Sequence, residues 1–361
     1  MIGKTLGIYI GSRFAKSCLV AFATIFTLVY IIDLVELLRR SGETTKASAS
    51  FLAFLSLIRV PAIVEQVLPF VILIGAMAAF LNSTRKLELV VARASGISVW
   101  QFLFPPVLVA LSIGIFATTV YNPVSALLKE RADHIEAGLF TKFSPSGPDT
   151  SLWIRQRSGD GQAIIRAEKA SESGRKLSNV TAFVFDVKGV FQERIEANEA
   201  QLNPGFWLLS GTRVLRVGEP PEAAGNYNLS TNLTAAQVTQ SFIAPDAVPF
   251  WELPSLSARM QEAGLNSTRY RLRFQTLLAR PLLLVAMVLV AASFSLRFFR
   301  MGGVSRMVSG GVAAGFVLYV VQKLVGDLGG AGVLNTGLAA WTPAIIGVLF
   351  GALMLLHQED G

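Results

Sequence analysis

The stretch Ala94-Ser-Gly-Ile-Ser-Val-Trp-Gln-Phe-Leu-Phe-Pro-Pro-Val-Leu-Val-Ala-Leu-Ser-Ile-Gly-Ile-Phe-Ala-Thr-Thr-Val-Tyr-Asn-Pro-Val-Ser-Ala-Leu-Leu128 contains no Asp, Glu, Lys or Arg. A helix needs about 20 mostly apolar residues to cross a bilayer, so this run holds one span with room for a loop at its start. Working outward, Gln66 to Thr84 and Ser17 to Ile32 are also free of charge, and the latter continues as helix through Asp33 towards Leu38. Beyond it lie Pro281 to Leu296, Met307 to Gln322 and Leu328 to Gln358. The pattern is three spans, a long gap and three more spans. Whole-chain composition agrees, with 52% hydrophobic and only 16% charged residues, where soluble domains carry about 25% charged. An ordinary soluble enzyme is excluded. In this reading no span carries a charge near its middle and no two spans are broken as a matched pair, which argues against a secondary transporter.

Lys4, Arg13 and Lys16 precede the first span, but its apolar core is long and no A-x-A site follows, so it reads as an uncleaved anchor. Lys4, Arg13 and Lys16, then Arg85, Lys86 and Arg93, then Arg297, Arg300 and Arg306 fall on one side if six spans alternate. That side is predicted to be cytoplasmic, with both termini on it. Arg39, Arg40 and Lys46 are then the exception, lying outside. The single cysteine, Cys18, excludes an internal disulfide, and His134 and His357 are too few for a Cys/His metal site.

The gap from 122 to 270 carries 15 Lys plus Arg against 16 Asp plus Glu, a net of −1, whereas the remainder carries 17 against 8, a net of +9. The basic excess therefore belongs to the membrane part, which argues against nucleic acid and for topology and anionic lipid. Within the gap Ser151 to Gln156, Ala163 to Ala167, Val180 to Val187, Trp207 to Leu209 and Arg213 to Val217 read as short strands, separated by turns at Gly159-Asp-Gly, Lys188-Gly, Asn203-Pro-Gly and Gly218-Glu-Pro-Pro. A sandwich or jelly-roll-like domain is predicted, flanked by helices over Pro123 to Gly138 and Pro254 to Gly264. The domain organisation expected is 1–128 for the first three spans, 129–265 for the β domain with its helical connectors and 266–361 for the last three spans.

Gly3-Lys4-Thr5 is the wrong place for a phosphate-binding loop, because only two residues precede Gly3 and the loop needs a glycine five residues earlier. No nucleotide-binding motif is present, and the chain is not read as an enzyme. The Asn-x-Ser/Thr triplets at Asn82, Asn179, Asn228, Asn232 and Asn266 read as chance. Gly7-x-x-x-Gly11, Gly311-x-x-x-Gly315 and Gly347-x-x-x-Gly351 read as close helix packing. Asp33, Glu36, Arg39 and Arg40 cluster at the outer end of the first span, where Glu36 is spaced to pair with either arginine and where guanidinium groups suit a lipid phosphate. Glu65 near the start of the second span and Lys323 near the end of the fifth are ionisable groups placed to snorkel to the outer interface or to act within the membrane. Between spans two and three, Lys86 to Ala94 is predicted to form a short surface helix ended by Gly96 as its C′ residue, with Leu87, Val90 and Val91 on one side and Glu88 as a carboxylate in a basic loop.

Glu88-Leu-Val-Val-Ala-Arg-Ala-Ser-Gly96, together with the three-plus-three spans and the β-rich insert, resembles the lipopolysaccharide-export permeases of the LptF/LptG family. Ile31-Ile-x-x-Val-x-x-Leu-Arg-Arg-x-Gly42, Asn266-x-x-Arg-Tyr-x-Leu and Pro281 to Phe294 are more similar to the LptG branch than to the LptF branch. The resemblance covers essentially the whole chain and implies the transmembrane subunit of an ABC transporter in the bacterial inner membrane, with the jelly-roll-like domain in the periplasm. Its implied partners are an LptF-like sister permease, an LptB-like cytoplasmic ATPase dimer that holds ATP and Mg, an LptC-like membrane-anchored protein, and lipopolysaccharide itself. Arg85, Glu88, Val91, Arg93, Ala94, Ser95 and Gly96 would form the helix seated in the ATPase, with no cofactor in this chain. Arg39 and Arg40, with Asp33, Glu36 and Lys323, would face lipid phosphates at the gate formed by the first and fifth spans. Asp33 departs from the lysine that a family member can carry there.

Overall fold

The computed structural model describes residues 4–44, 48–86, 88, 91, 94–139, 152–158, 161–171, 175–216, 218–232, 244–262, 265–296 and 304–359. The long helices are α1 (Lys4–Thr44), α2 (Ala49–Arg85), α3 (Val99–Phe116), α4 (Asn122–Leu139), α6 (Thr268–Ser295), α7 (Val304–Gly330) and α8 (Thr336–Glu359), with a short α5 (Leu253–Glu262) between the insert and α6. Among the described residues, six helical stretches are long and apolar enough to cross a membrane. One of them runs from Val99 to Glu136, joining α3 to α4 through a π-helical turn at Ala117–Tyr121. The chain divides into two compact units, one holding Met1–Phe140, Asp246–Leu253 and Arg271–Gly361, the other Thr141–Pro245 and Pro254–Tyr270.

Local chemistry sets where the helices begin. Ser48 caps α2, its hydroxyl accepting from the Phe51 N–H at 3.3 Å. Ser98 and Gln101 form a reciprocal capping box at the start of α3, so two of the donors that every helix start leaves unpaired are satisfied. In the helical unit one core gathers Phe14 and Cys18 of α1, Ile72 and Phe80 of α2, Leu103 of α3, Leu284 and Met287 of α6, Leu318 of α7 and Ala344 of α8. Helices in lipid gain most from close backbone approach rather than from hydrophobicity, and two glycines show how close these come. A Cβ on Gly75 would lie 2.7 Å from the Cys18 Cα, and one on Gly114 would lie 2.5 Å from the Pro281 Cα. Gly311 and Gly315 similarly admit Met77 and Leu73 of α2, while Gly347 and Gly351 admit Leu318 and Leu289. Those two glycine motifs thus serve packing inside this chain. Gly114→Leu is expected to force α3 from α6, and overpacking of this kind costs about 1–3 kcal/mol or more; the check is a lowered melting temperature of the detergent-solubilised protein.

The second unit is an antiparallel sheet of β1 (Leu152–Ser158), β2 (Gly161–Ser171), β3 (Lys176–Phe185), β4 (Phe191–Asn203), β5 (Phe206–Arg216) and β6 (Glu222–Ser230), paired in the order β1-β2-β3-β4-β5-β6. The order is that of a meander, with no crossover among the described residues. Ile165, Leu177, Val180, Ile195, Trp207 and Leu209 form its buried core. In a flat sheet β1 and β6 would stand roughly 24 Å apart, five strand spacings. Here Gln156 of β1 donates to the Ser230 carbonyl at 3.2 Å and accepts from Trp207 Nε1 at 3.2 Å and Thr231 Oγ1 at 2.6 Å. The sheet therefore curls into a roll around its apolar face, helped by register shifts on β3–β4 and β5–β6 where the ladder is locally broken.

Candidate functional site

Three polar constellations stand out in the helical unit. The first is at the foot of α1, where the segment after α2 folds back. Ser95 N–H bonds the Val91 carbonyl at 3.0 Å, and Gly96 has φ +81, the left-handed conformation of a helix C′ residue. Gly96 thus ends this turn as its sequence suggests. Arg85, Val91, Ala94, Ser95 and Gly96 are exposed, a surface open to a partner. Leu87, Val90 and Arg93 lie outside the described residues. Glu88 is not a solitary carboxylate in a basic loop: Arg13 Nη1 donates to both of its oxygens, at 2.6 Å to Oε2, and Tyr9 Oη donates to Oε1 at 3.2 Å.

The second lies at the opposite end of α1. Arg39 and Arg40 both pair with Glu36, at 3.0 and 2.8 Å. Arg40 also approaches Glu136 of α4 at 3.7 Å, and Arg59 of α2 reaches Glu136 at 3.4 Å and Asp33 at 3.7 Å. Asp33 is buried, and its Oδ2 has no hydrogen-bond partner among the described residues. Three arginines thus face three carboxylates. The guanidinium groups of Arg39 and Arg40 remain 71% and 52% exposed, and ion pairs so exposed are worth about 0–1 kcal/mol, so an incoming anion can exchange for Glu36 at little cost. Arg59, which precedes the uncharged run of the second span, belongs to this cluster. Lys323 is exposed on α7, away from any ion pair among the described residues.

The third centres on Glu65, which the sequence offered as an ionisable group without naming its partners. Glu65, 2% exposed, receives Arg280 Nη1 at 2.7 Å, Arg273 Nη2 at 2.9 Å and Asn122 Nδ2 at 2.9 Å on Oε1, with Ser125 Oγ on Oε2. Asn122 in turn accepts from the Phe250 N–H at 2.9 Å. Of the two readings offered for Glu65, burial at 2% exposure excludes snorkelling to the interface and leaves a role within the membrane, and the expectation that no span has a charge near its middle is corrected here. The uncharged runs of the second and fourth spans begin just after Glu65 and Arg280. The helices instead continue through both residues, because Glu65 is paired with Arg280 and Arg273 and both of its oxygens are hydrogen-bonded, the condition under which buried charge is tolerated. The cluster ties α2, α4 and α6 together. Its polar character is local to this crossing. Nearby, an apolar cleft of about 520 Å³ between α1, α2 and α3 is lined by Cys18, Phe22, Leu68, Val71, Ile113 and Tyr121.

Six apolar helical spans around one packed core, interrupted once by an all-β unit, define a multi-pass membrane protein. The chain belongs to the family described as lipopolysaccharide export system permease LptF/LptG, which it matches over residues 8–357. Two relatives are both called lipopolysaccharide export system permease protein LptG. That of Escherichia coli K12 is 24% identical over 326 residues, covering 89% of each chain. That of Haemophilus influenzae is 24% identical over 362 residues, covering 98% of this chain and 96% of the relative.

Proposed function

We propose that this permease is one half of a heterodimeric membrane unit that extracts lipopolysaccharide from the outer leaflet of the bacterial inner membrane, driven by ATP hydrolysis in a separate cytoplasmic ATPase. The observation that carries this is the unfinished packing of α1 and α7. Only 11% of the most apolar stretch of α1 and 17% of that of α7 is buried within the chain, against 78% for α6. Leu19, Val20, Leu28 and Ile31 of α1 and Phe316, Val317 and Leu324 of α7 are exposed. These faces suit an LptF-like sister permease, with lipid acyl chains in the apolar space between the two. The exposed turn around Val91 to Gly96 suits the ATPase dimer, which would hold ATP and Mg, and this chain supplies no cofactor of its own.

In this reading both termini and residues 85–98 are cytoplasmic and the sheet is periplasmic. Closure of the ATPases on ATP presses on the turn at Glu88, the cavity narrows, and the lipid leaves towards the curled sheet. The apolar face of that sheet shelters acyl chains on the way to an LptC-like protein and the bridge beyond. Shelter and energy are both needed, since exposing acyl chain to water costs about 0.8 kcal/mol per CH₂. Arg39 and Arg40 receive the lipid phosphates by bidentate contacts, the phosphate taking the place of Glu36. Arg39→Glu with Arg40→Glu is expected to abolish photo-crosslinking of lipopolysaccharide at the outer end of α1 while the complex still assembles. Unchanged crosslinking removes both arginines from the site.

A further inference from the structure

Glu88 looks inward as well as outward. Its carboxylate holds Arg13, whose side chain is 16% exposed against 27% for Glu88, so the pair sits partly out of water and is stronger than an exposed one. Tyr9, one turn earlier on α1, donates to Glu88 Oε1 and accepts from Arg13 Nη1 at 3.2 Å. The residues joined are 75 positions apart. The segment carrying Glu88 follows α2 directly in the backbone, whereas the foot of α1 is connected to it through the chain only by way of the full lengths of α1 and α2. The Arg13–Glu88 pair is therefore a direct mechanical connection from that segment to α1. Immediately above it α1 is fixed against α2, by Phe14 beside Phe80 with ring centroids 6.3 Å apart and by Cys18 over Gly75. Beyond that pivot its outward face is uncovered from Leu19 to Ile32. One further feature suits a moving joint. Arg13 Nη2 is buried with no hydrogen-bond partner among the described residues, so the guanidinium keeps a spare donor on which a shifted carboxylate can re-form the pair. Two discrete arrangements of one contact are what transmission between sites requires.

We propose that Arg13 is a positioning residue that converts displacement of the 85–98 segment into movement of α1, through the Glu88 carboxylate. The assignment rests on the export reading, in which that segment docks the ATPase and α1 borders the lipid path. It adds a role for Glu88 towards its own chain, and for Arg13 and Tyr9, which are otherwise only residues at the membrane boundary.

The test is made on the complete complex, purified through a tag on this chain and reconstituted in liposomes containing lipopolysaccharide. Two quantities are read, the ATPase bound per permease and the lipopolysaccharide released per ATP hydrolysed. Arg13→Gln is expected to keep the ATPase bound while release per ATP falls on the order of tenfold, as for loss of a hydrogen-bonded charge pair. Arg13→Lys, which retains the charge, is expected to recover most of it. Tyr9→Phe removes the two weak hydrogen bonds of the Tyr9 hydroxyl and leaves the Arg13–Glu88 pair in place; it is expected to lower the ratio about twofold to threefold, so the assignment remains testable if Arg13→Gln fails to accumulate. Unchanged ratios in Arg13→Gln and Tyr9→Phe overturn it. So does loss of bound ATPase in Arg13→Gln to the extent seen in Glu88→Lys, which would make Arg13 part of the docking surface. A wild-type complex that releases no lipid overturns the export reading and this assignment with it. A wild-type complex that releases lipid beside an equally effective Arg13→Gln overturns this assignment alone.

Discussion

Glu65→Leu is expected to be the most damaging single substitution in the helical unit. It leaves Arg280, 6% exposed, without the carboxylate that neutralises it, and frees Asn122 and Ser125 from their partner. Removing one member of a buried ion pair costs about 3–5 kcal/mol, a large share of the stability of any protein. The measurement is thermal unfolding of the detergent-solubilised chain followed by tryptophan fluorescence, with a marked loss of melting temperature or of folded yield. Glu65→Leu combined with Arg280→Met is expected to recover part of that loss, because the fully buried cation is removed with its carboxylate and only Arg273, whose side chain is 16% exposed, is left unpaired. Equal damage from the single and double variants would mean that shape at this crossing, and not charge, governs its stability.

The second large effect is at Glu88. Glu88→Lys places a cation beside Arg13 and at the same time reverses the charge offered to the ATPase. Disrupting a partly buried charge pair at an interface costs about 2–5 kcal/mol, enough to deplete a bound subunit during purification. Quantitative mass spectrometry of material copurifying with the tagged chain is expected to find the ATPase with the wild type and little of it with Glu88→Lys, while the sister permease stays. Retention of the ATPase at wild-type stoichiometry would remove Glu88 from the docking surface and leave it only its contact with α1. The contrast with Arg13→Gln separates the two roles of this carboxylate.

How much of this could be read from the sequence follows from what each signal measures. The spans were legible because absence of charge over a bilayer's thickness has few other causes. The turn at Gly96 was legible because a glycine after a short helical pattern has one common use. Glu65 was visible as an ionisable candidate, but its partners Arg273 and Arg280 escaped because charge was taken to mark the edge of a span. Only their meeting in space, across more than 200 positions, shows that each makes the other tolerable. The Arg13–Glu88 pair escaped for a related reason: Arg13 was sufficiently explained by topology, and nothing local assigns it a partner on another helix. In the sheet, β4 and β6 had no strand signal to find. β4 buries Ile195, Ala197 and Ala200 but also Glu193, and carries Glu196 and Glu199 besides, so charge and small residues mask its strand pattern. β6 is exposed along most of its length. The two short strands expected at Trp207 to Leu209 and Arg213 to Val217 are one strand, β5, bent at Gly211 where φ is +66.

The central claim is that this chain works in ATP-driven removal of lipopolysaccharide from a membrane. It is tested most directly by transfer of lipopolysaccharide from liposomes holding the complete wild-type complex to an acceptor added outside. The account expects transfer that begins on addition of ATP and Mg, stops with a non-hydrolysable analogue and scales with ATP consumed. An intact complex that contains no ATPase, or one that hydrolyses ATP and leaves the lipid in the membrane, would contradict it and make the protein a scaffold with the permease fold.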